Sequence, residues 1–100
     1  MSNFVSVDIK KTVSANKRFV AIFKRANGKE RNIKFGSLIE NTYIDNGDEK
    51  NKEAYLARHI VREDWYNPQS AGSLSRWILW GDSTNINKNV VDYKKGFNLI

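Results

Sequence analysis

The sequence predicts an α+β fold in one domain over residues 1–100: a three-stranded antiparallel N-terminal sheet, a candidate short fourth strand, and about three C-terminal helices. Three observations predict it. Apolar residues in the first third alternate with polar ones at period two. An Asn-Gly pair separates two strand-like runs. The second half is rich in helix formers, with apolar residues three and four apart. Strands first and helices after argue for helices packed on one sheet face.

Val5, Val7 and Ile9 alternate with Ser6 and Asp8, which marks a half-buried first strand. A polar stretch, Lys10 to Lys17, separates it from Arg18–Lys24, rich in β-branched and aromatic residues. Phe19, Ala21 and Phe23 fall on one face and Val20 and Ile22 on the other, so this reads as a central strand with some cover on both sides. Asn27-Gly28 predicts a type I′ hairpin turn, which requires positive φ at both positions. Arg31 to Phe35 returns, with Ile33 and Phe35 facing the core. Gly36 to Asn41 reads as a loop, Thr42–Asp45 as the candidate fourth strand, and Asn46-Gly47 as a second turn.

Asp48 is a suitable N-cap for a helix from Glu49 to about Arg62, with Tyr55, Leu56, His59 and Ile60 on a broad buried face. Pro68 interrupts the pattern. Ser70 or Ser73 caps a second helix to about Trp80, with Leu74, Trp77 and Ile78 on one face and Gly81 as its stop. Ser83 or Thr84 opens a third, whose stripe is Ile86, Val90, Tyr93 and Phe97 and whose end is Gly96.

Charge is uneven. The net charge of +6 hides a local +7 over residues 1–36, where nine Lys or Arg face two acids. Residues 37–66 carry a net −3, and 67–100 a net +2. The basic sheet residues Lys10, Lys11, Lys17, Arg18, Lys24, Arg25, Lys29 and Arg31, with Lys34, offer a track for a phosphate backbone. They serve equally as solvated edges that resist strand-to-strand aggregation. Stacking aromatics of the kind a single-strand binder uses are not evident, because Phe19, Phe23 and Phe35 suit the core.

Little in the sequence suggests catalysis. It has no cysteine, so no disulfide or thiolate metal site forms, which accords with a reducing, intracellular setting. The first residues lack the charged-then-apolar pattern of a signal peptide, and no run approaches the roughly 18 apolar residues of a membrane span. There is one histidine, His59; with Arg58 and Glu63 it would need to converge in a cleft to serve an enzyme, and a structural role is the simpler reading. No nucleophile elbow, phosphate loop or dinucleotide fingerprint occurs. Asp45, Asp48 and Glu49 lack the register of a calcium loop and read as caps. The expectation is a protein without enzymatic activity, metal or cofactor.

The distinctive stretch is 55–81, which holds all three tryptophans and several arginines. Trp and Arg are enriched at binding hot spots, and they also stack on one another inside small folds. Arg58, Arg62, Trp65, Arg76, Trp77 and Trp80 are therefore candidate protein-interface residues, with core packing the competing explanation.

Lys52–His59, Glu63-Asp-Trp65, Asn67-Pro68, Ser70–Gly81 and the ending Asp92–Phe97 together resemble a family of small proteins of large DNA viruses of algae and amoebae, with relatives in phage and environmental sequences. The resemblance implies a viral origin and brings no catalytic residues. It favours a structural or interaction role as a minor capsid or virion-associated component, with other viral proteins or an acidic protein face as partners, in host cytoplasm or nucleus or in the virion. The alternative is DNA or RNA binding by the basic sheet and hairpin.

Overall fold

The structure is a computed structural model and describes residues 4–12, 16–37, 41–61 and 63–100. Strands β1 (Phe4–Lys11), β2 (Lys17–Arg25) and β3 (Glu30–Ser37) form an antiparallel sheet in the order β1-β2-β3. Helices α1 (Tyr43–Asn46), α2 (Glu49–His59) and α3 (Ala71–Leu74) follow; α3 runs directly into a π-helical turn, Ser75–Leu79, and α4 (Ile86–Gly96) comes last. The α+β expectation holds. Among the described residues no helix is long and apolar enough to cross a membrane.

Register explains the core. Val7 pairs with Phe23, Ile9 with Ala21, Phe19 with Phe35 and Ala21 with Ile33, so these residues share a face. Phe23, Phe35, Val7 and Ala21 are almost wholly buried there, together with Leu74, Ile78 and Leu79 from α3 and the π turn. Helices cover this face only. On the other face Val20 and Ile22 are half-buried beside Lys10, Lys24 and Lys34, whose stems can lie along apolar surface. The free side of β1 is occupied by the chain end: Ile100 donates its N–H to the Val5 carbonyl and accepts from the Val7 N–H.

Several local expectations are corrected. The hairpin is not type I′, since Gly28 has φ +87 while Asn27 stays at negative φ. Gly28 N–H donates to the Arg25 carbonyl and Arg25 N–H to that of Lys29, closing a three-residue loop in which only one residue is left-handed. Thr42–Asp45 is not a strand. The Asp45 carboxylate accepts from the Thr42 N–H at 2.7 Å and from its Oγ1 at 2.9 Å, and Arg18 grips the same carboxylate at 2.7 and 2.9 Å. These bonds fold the segment into the single turn α1, which Gly47 ends at φ +63.

Asp48 caps α2 and Ser70 caps α3, as read from the sequence. Asn85, not Ser83 or Thr84, caps α4; its side chain accepts from the N–H groups of Asn87 and Lys88. α4 ends at Gly96, as read from the sequence, but the glycine is not the left-handed residue of the ending. Asn98 takes the left-handed position, with Asn98 N–H bonded to the Lys95 carbonyl and Leu99 N–H to that of Lys94, which is a Schellman ending. The second helix stops at Leu79, ahead of Gly81. Ile60 is not buried, because α2 ends before it.

Asp45 makes a testable link between pH and stability. The Arg18 guanidinium, with help from Thr42, holds its carboxyl below the usual carboxylate range, against the opposing pull of partial burial. A depressed folded pKa contributes stability above the unfolded value and loses it as pH falls through the folded one. The contribution is therefore present at neutral pH and lost below about pH 4. Asp45→Asn should cost about 1 kcal/mol at pH 7, and the gap to wild type should close in acid. Thermal melts at both pH values check this.

Candidate functional site

Two surfaces were expected to bind, the sheet cations and the Trp/Arg block. Their geometries differ.

Of the sheet cations, Arg18 is committed to Asp45, and Lys24 lies 3.7 Å from Glu30. Arg25 lies over the Phe4 ring, 4.9 Å from its centroid, and Arg31 donates to the Gln69 side chain. Among the described residues, Lys10, Lys11, Lys17, Arg25, Lys29, Arg31 and Lys34 have no acidic partner. All of these are exposed except Lys17, which is half-buried. Lys10 and Lys34 flank Val20 in one cross-strand row, about 10 Å apart at the usual strand spacing. Of the described residues on that open face only Gly36, at its end against Arg18, is buried, and none is aromatic. Asp8 and Glu30 share the face and moderate its charge.

The Trp/Arg block turns much of its recognition chemistry inward. Trp80 is a core residue, 4% exposed, which corrects its reading as an interface residue. It stacks on Tyr55 at 4.2 Å with the rings 5° from parallel, and Tyr55 stacks in turn on His59. A pair of flat apolar rings this close is stabilised by the area it removes from water. Arg76 lies between Trp77, at 4.3 Å, and Trp65, at 5.3 Å, and its Nη1 donates to the Trp80 carbonyl at 2.9 Å. Burial pulls its guanidinium below the ordinary arginine range, and Nε has no hydrogen-bond partner among the described residues.

The indole N–H groups are also used internally. Trp77 Nε1 donates to the Trp65 carbonyl at 2.7 Å, and Trp65 Nε1 to Glu63 Oε2 at 3.0 Å. Glu63 Oε1 meets His59 Nδ1 at 3.1 Å. Glu63 therefore clamps the end of α2 to the segment before Pro68. His59 and Glu63 converge on a cleft of about 210 Å³, but Arg58 is exposed and does not line it. Among the described residues no three His, Cys, Asp or Glu side chains gather as a metal site would require. Arg62 lies outside the described residues. Three residues not read from the sequence as site residues are also exposed: Ile60, expected on a buried face, at 60%, Val61 at 81% and Tyr66 at 80%.

A larger cleft, of about 310 Å³, was also not anticipated. It lies where Tyr66 and Trp77 meet α4, and Tyr93 and Phe97 form its other wall. The sequence held a partial signal, since Tyr93 and Phe97 belong to the apolar stripe of α4. Nothing in the linear pattern placed Tyr66 and Trp77 opposite them.

The sequence pattern of a family of unknown function, DUF5754, matches residues 7–59. The chain belongs to this family. No curated protein and no solved structure matches the chain. The matched segment runs from Val7 in β1 to the last residue of α2, so it spans the sheet, α1 and α2 and includes every cation of the sheet. It overlaps the distinctive sequence stretch 52–97 only over residues 52–59.

Proposed function

We propose that this protein is a non-catalytic binding domain that holds nucleic acid by its phosphate backbone through the sheet cations, in a viral setting suggested by the resemblance of residues 52–97. The observation that carries the reading is the set of seven cations without an acidic partner among the described residues, around a sheet with one open face. The family match supports the same region, because it covers the sheet and not the tryptophan-rich helices. Lack of an aromatic on the open face argues against base stacking as the source of affinity. Binding should then be sequence-tolerant and strongly salt-dependent. If about five phosphates are neutralised, affinity for duplex DNA should fall several hundredfold, roughly, between 50 and 200 mM salt. Fluorescence anisotropy with labelled duplex and single-stranded DNA at both salt concentrations tests this. Absence of binding at 50 mM salt would remove the reading.

A second reading has its own observation. The run Ile60-Val61 exposes apolar side chains close in sequence to the exposed Arg58, and Tyr66 is exposed beside Trp77, the chemistry of a protein contact. It corresponds to a minor capsid or virion-associated role with other viral proteins as partners. Mass spectrometry of purified particles decides: detection supports it, and presence in infected-cell lysate with absence from particles removes it.

A further inference from the structure

The cleft between the 66–77 region and α4 combines two features. Its walls are aromatic: Tyr66 and Trp77 lie with ring centroids 6.4 Å apart and tilted by 52°, and Tyr93 and Phe97 lie 5.0 Å apart and tilted by 56°. Its remaining lining includes the carboxylates of Asp82 and Asp92, and no Lys or Arg lines it. In a chain of net charge +6, a concavity lined by acids and rings and by no basic residue selects for positive charge. We propose that this cleft binds the head group of a methylated ammonium ion, the aromatic faces taking the cation and the two aspartates balancing its charge.

The chemistry favours this class over its competitors. A weakly hydrated alkylammonium gains from the negative faces of aromatic rings and loses little water on entry. A small metal ion would need several oxygen ligands converging at short range, and among the described residues no cluster of three carboxylates or histidines exists. A neutral apolar ligand would gain nothing from Asp82 and Asp92. The volume, about 310 Å³, lies at the small end of ligand pockets, which run from roughly 300 to 1,000 Å³.

Three walls are already held in place. Trp77 is fixed by its bond to the Trp65 carbonyl, Tyr93 donates its hydroxyl to the Pro68 carbonyl, and Phe97 packs on Tyr93. Burial pushes the Tyr93 phenol up, so that hydroxyl remains a donor at neutral pH. Tyr66 is the exposed wall, anchored by its backbone N–H on Asp64. Lys88, 3.0 Å from Asp92, makes an exposed pair of the kind that is worth little, and Lys52, largely buried and bonded to the Gly81 carbonyl, lies 3.9 Å from the exposed Asp82.

The experiment is isothermal titration of the full chain with choline, with its neutral isostere 3,3-dimethylbutanol, and with two peptides that differ only in carrying lysine or trimethyl-lysine. Choline should bind at least about tenfold more tightly than the isostere, the difference one desolvated cation–π site supplies. Tyr66→Ala and Asp92→Asn should each weaken choline about fivefold or more while leaving the melting temperature near wild type, since both side chains are largely exposed. Tighter binding of the trimethyl-lysine peptide than of choline identifies a modified protein tail as the source, and equal binding identifies a free small molecule. The proposal is overturned if neither cation binds, if the isostere binds as well as choline, or if both variants bind as wild type does. DNA binding through the sheet should be unchanged in both variants, so the two proposals fail separately.

Discussion

Replacing Asn89 with alanine is expected to cost about 3 kcal/mol, a large share of the 5–15 kcal/mol that holds a small domain together. Asn89 is 1% exposed and sits where the π turn hands over to α4. Its Nδ2 donates to the Ile78 carbonyl at 2.9 Å and to the Ser83 carbonyl at 2.7 Å, and its Oδ1 accepts from the Ser83 N–H at 3.1 Å. The Ile78 carbonyl belongs to the last turn of a helix, which has no intrahelical donor left. Truncation strands three polar groups, the Ile78 carbonyl in a buried place and the Ser83 N–H and carbonyl in partly buried ones, each at about 1–3 kcal/mol less whatever relaxation and solvent recover. Asn89→Asp should be at least as damaging despite its shape, because at neutral pH a carboxylate would face two carbonyls without a donor to offer. Urea unfolding checks both. A cost below about 1 kcal/mol for Asn89→Ala would mean that water reaches the junction and that the three bonds are dispensable.

The second large effect concerns Arg76, where the charge and the shape of the side chain can be separated. Arg76→Ala removes the plane between Trp65 and Trp77 and leaves the Trp80 carbonyl without its donor, at an expected cost of about 3 kcal/mol. Arg76→Met keeps most of the volume and places a polarisable thioether against two rings, so it should recover more than half of that loss. Arg76→Lys keeps the charge but offers a compact, strongly hydrated ammonium, and should fare worse than Met. If Lys matches wild type while Met is as unstable as Ala, the positive charge is what matters and the stacked-plane account is wrong.

Much of the fold was legible because it rests on local rules. The alternation at Val7 and Ile9 and the apolar face Phe19, Ala21 and Phe23 located the sheet and its buried side, but Val5, expected on that side, is 42% exposed, because the register shifts between Phe4 and Ser6 and Phe4 is buried instead. Asp48 and Ser70 announced two helix starts by side-chain chemistry alone. The misreadings occurred where a distant group decided a short segment. Thr42–Asp45 has the composition of a strand, yet it is a helical turn because Arg18, 27 positions away, reaches the Asp45 carboxylate. Asn27-Gly28 fits two hairpin geometries, and the register that sets the loop at three residues is a property of the whole strand pair. Trp80 could not be told from an exposed tryptophan until Tyr55 was seen lying parallel to it.

The candidate sites follow the same division. The sheet cations were visible as a local excess of charge, but which of them lack partners depends on Asp45 and Glu30 in the folded chain. The aromatic-acidic cleft was invisible, since its walls come from residues 66, 77, 93 and 97, brought together by the packing of α4 on the π turn.

The most direct measurement on the central claim is the slope of log affinity for duplex DNA against log salt, taken for wild type and for a variant with Lys10, Lys17, Lys29 and Lys34 changed to alanine, both with native circular dichroism. Wild type should show a slope of about −4 or steeper, and the variant a slope shallower by about three, together with a large loss of affinity at low salt. Equal slopes and equal affinities for the two folded proteins would contradict the account and take the sheet cations out of the function.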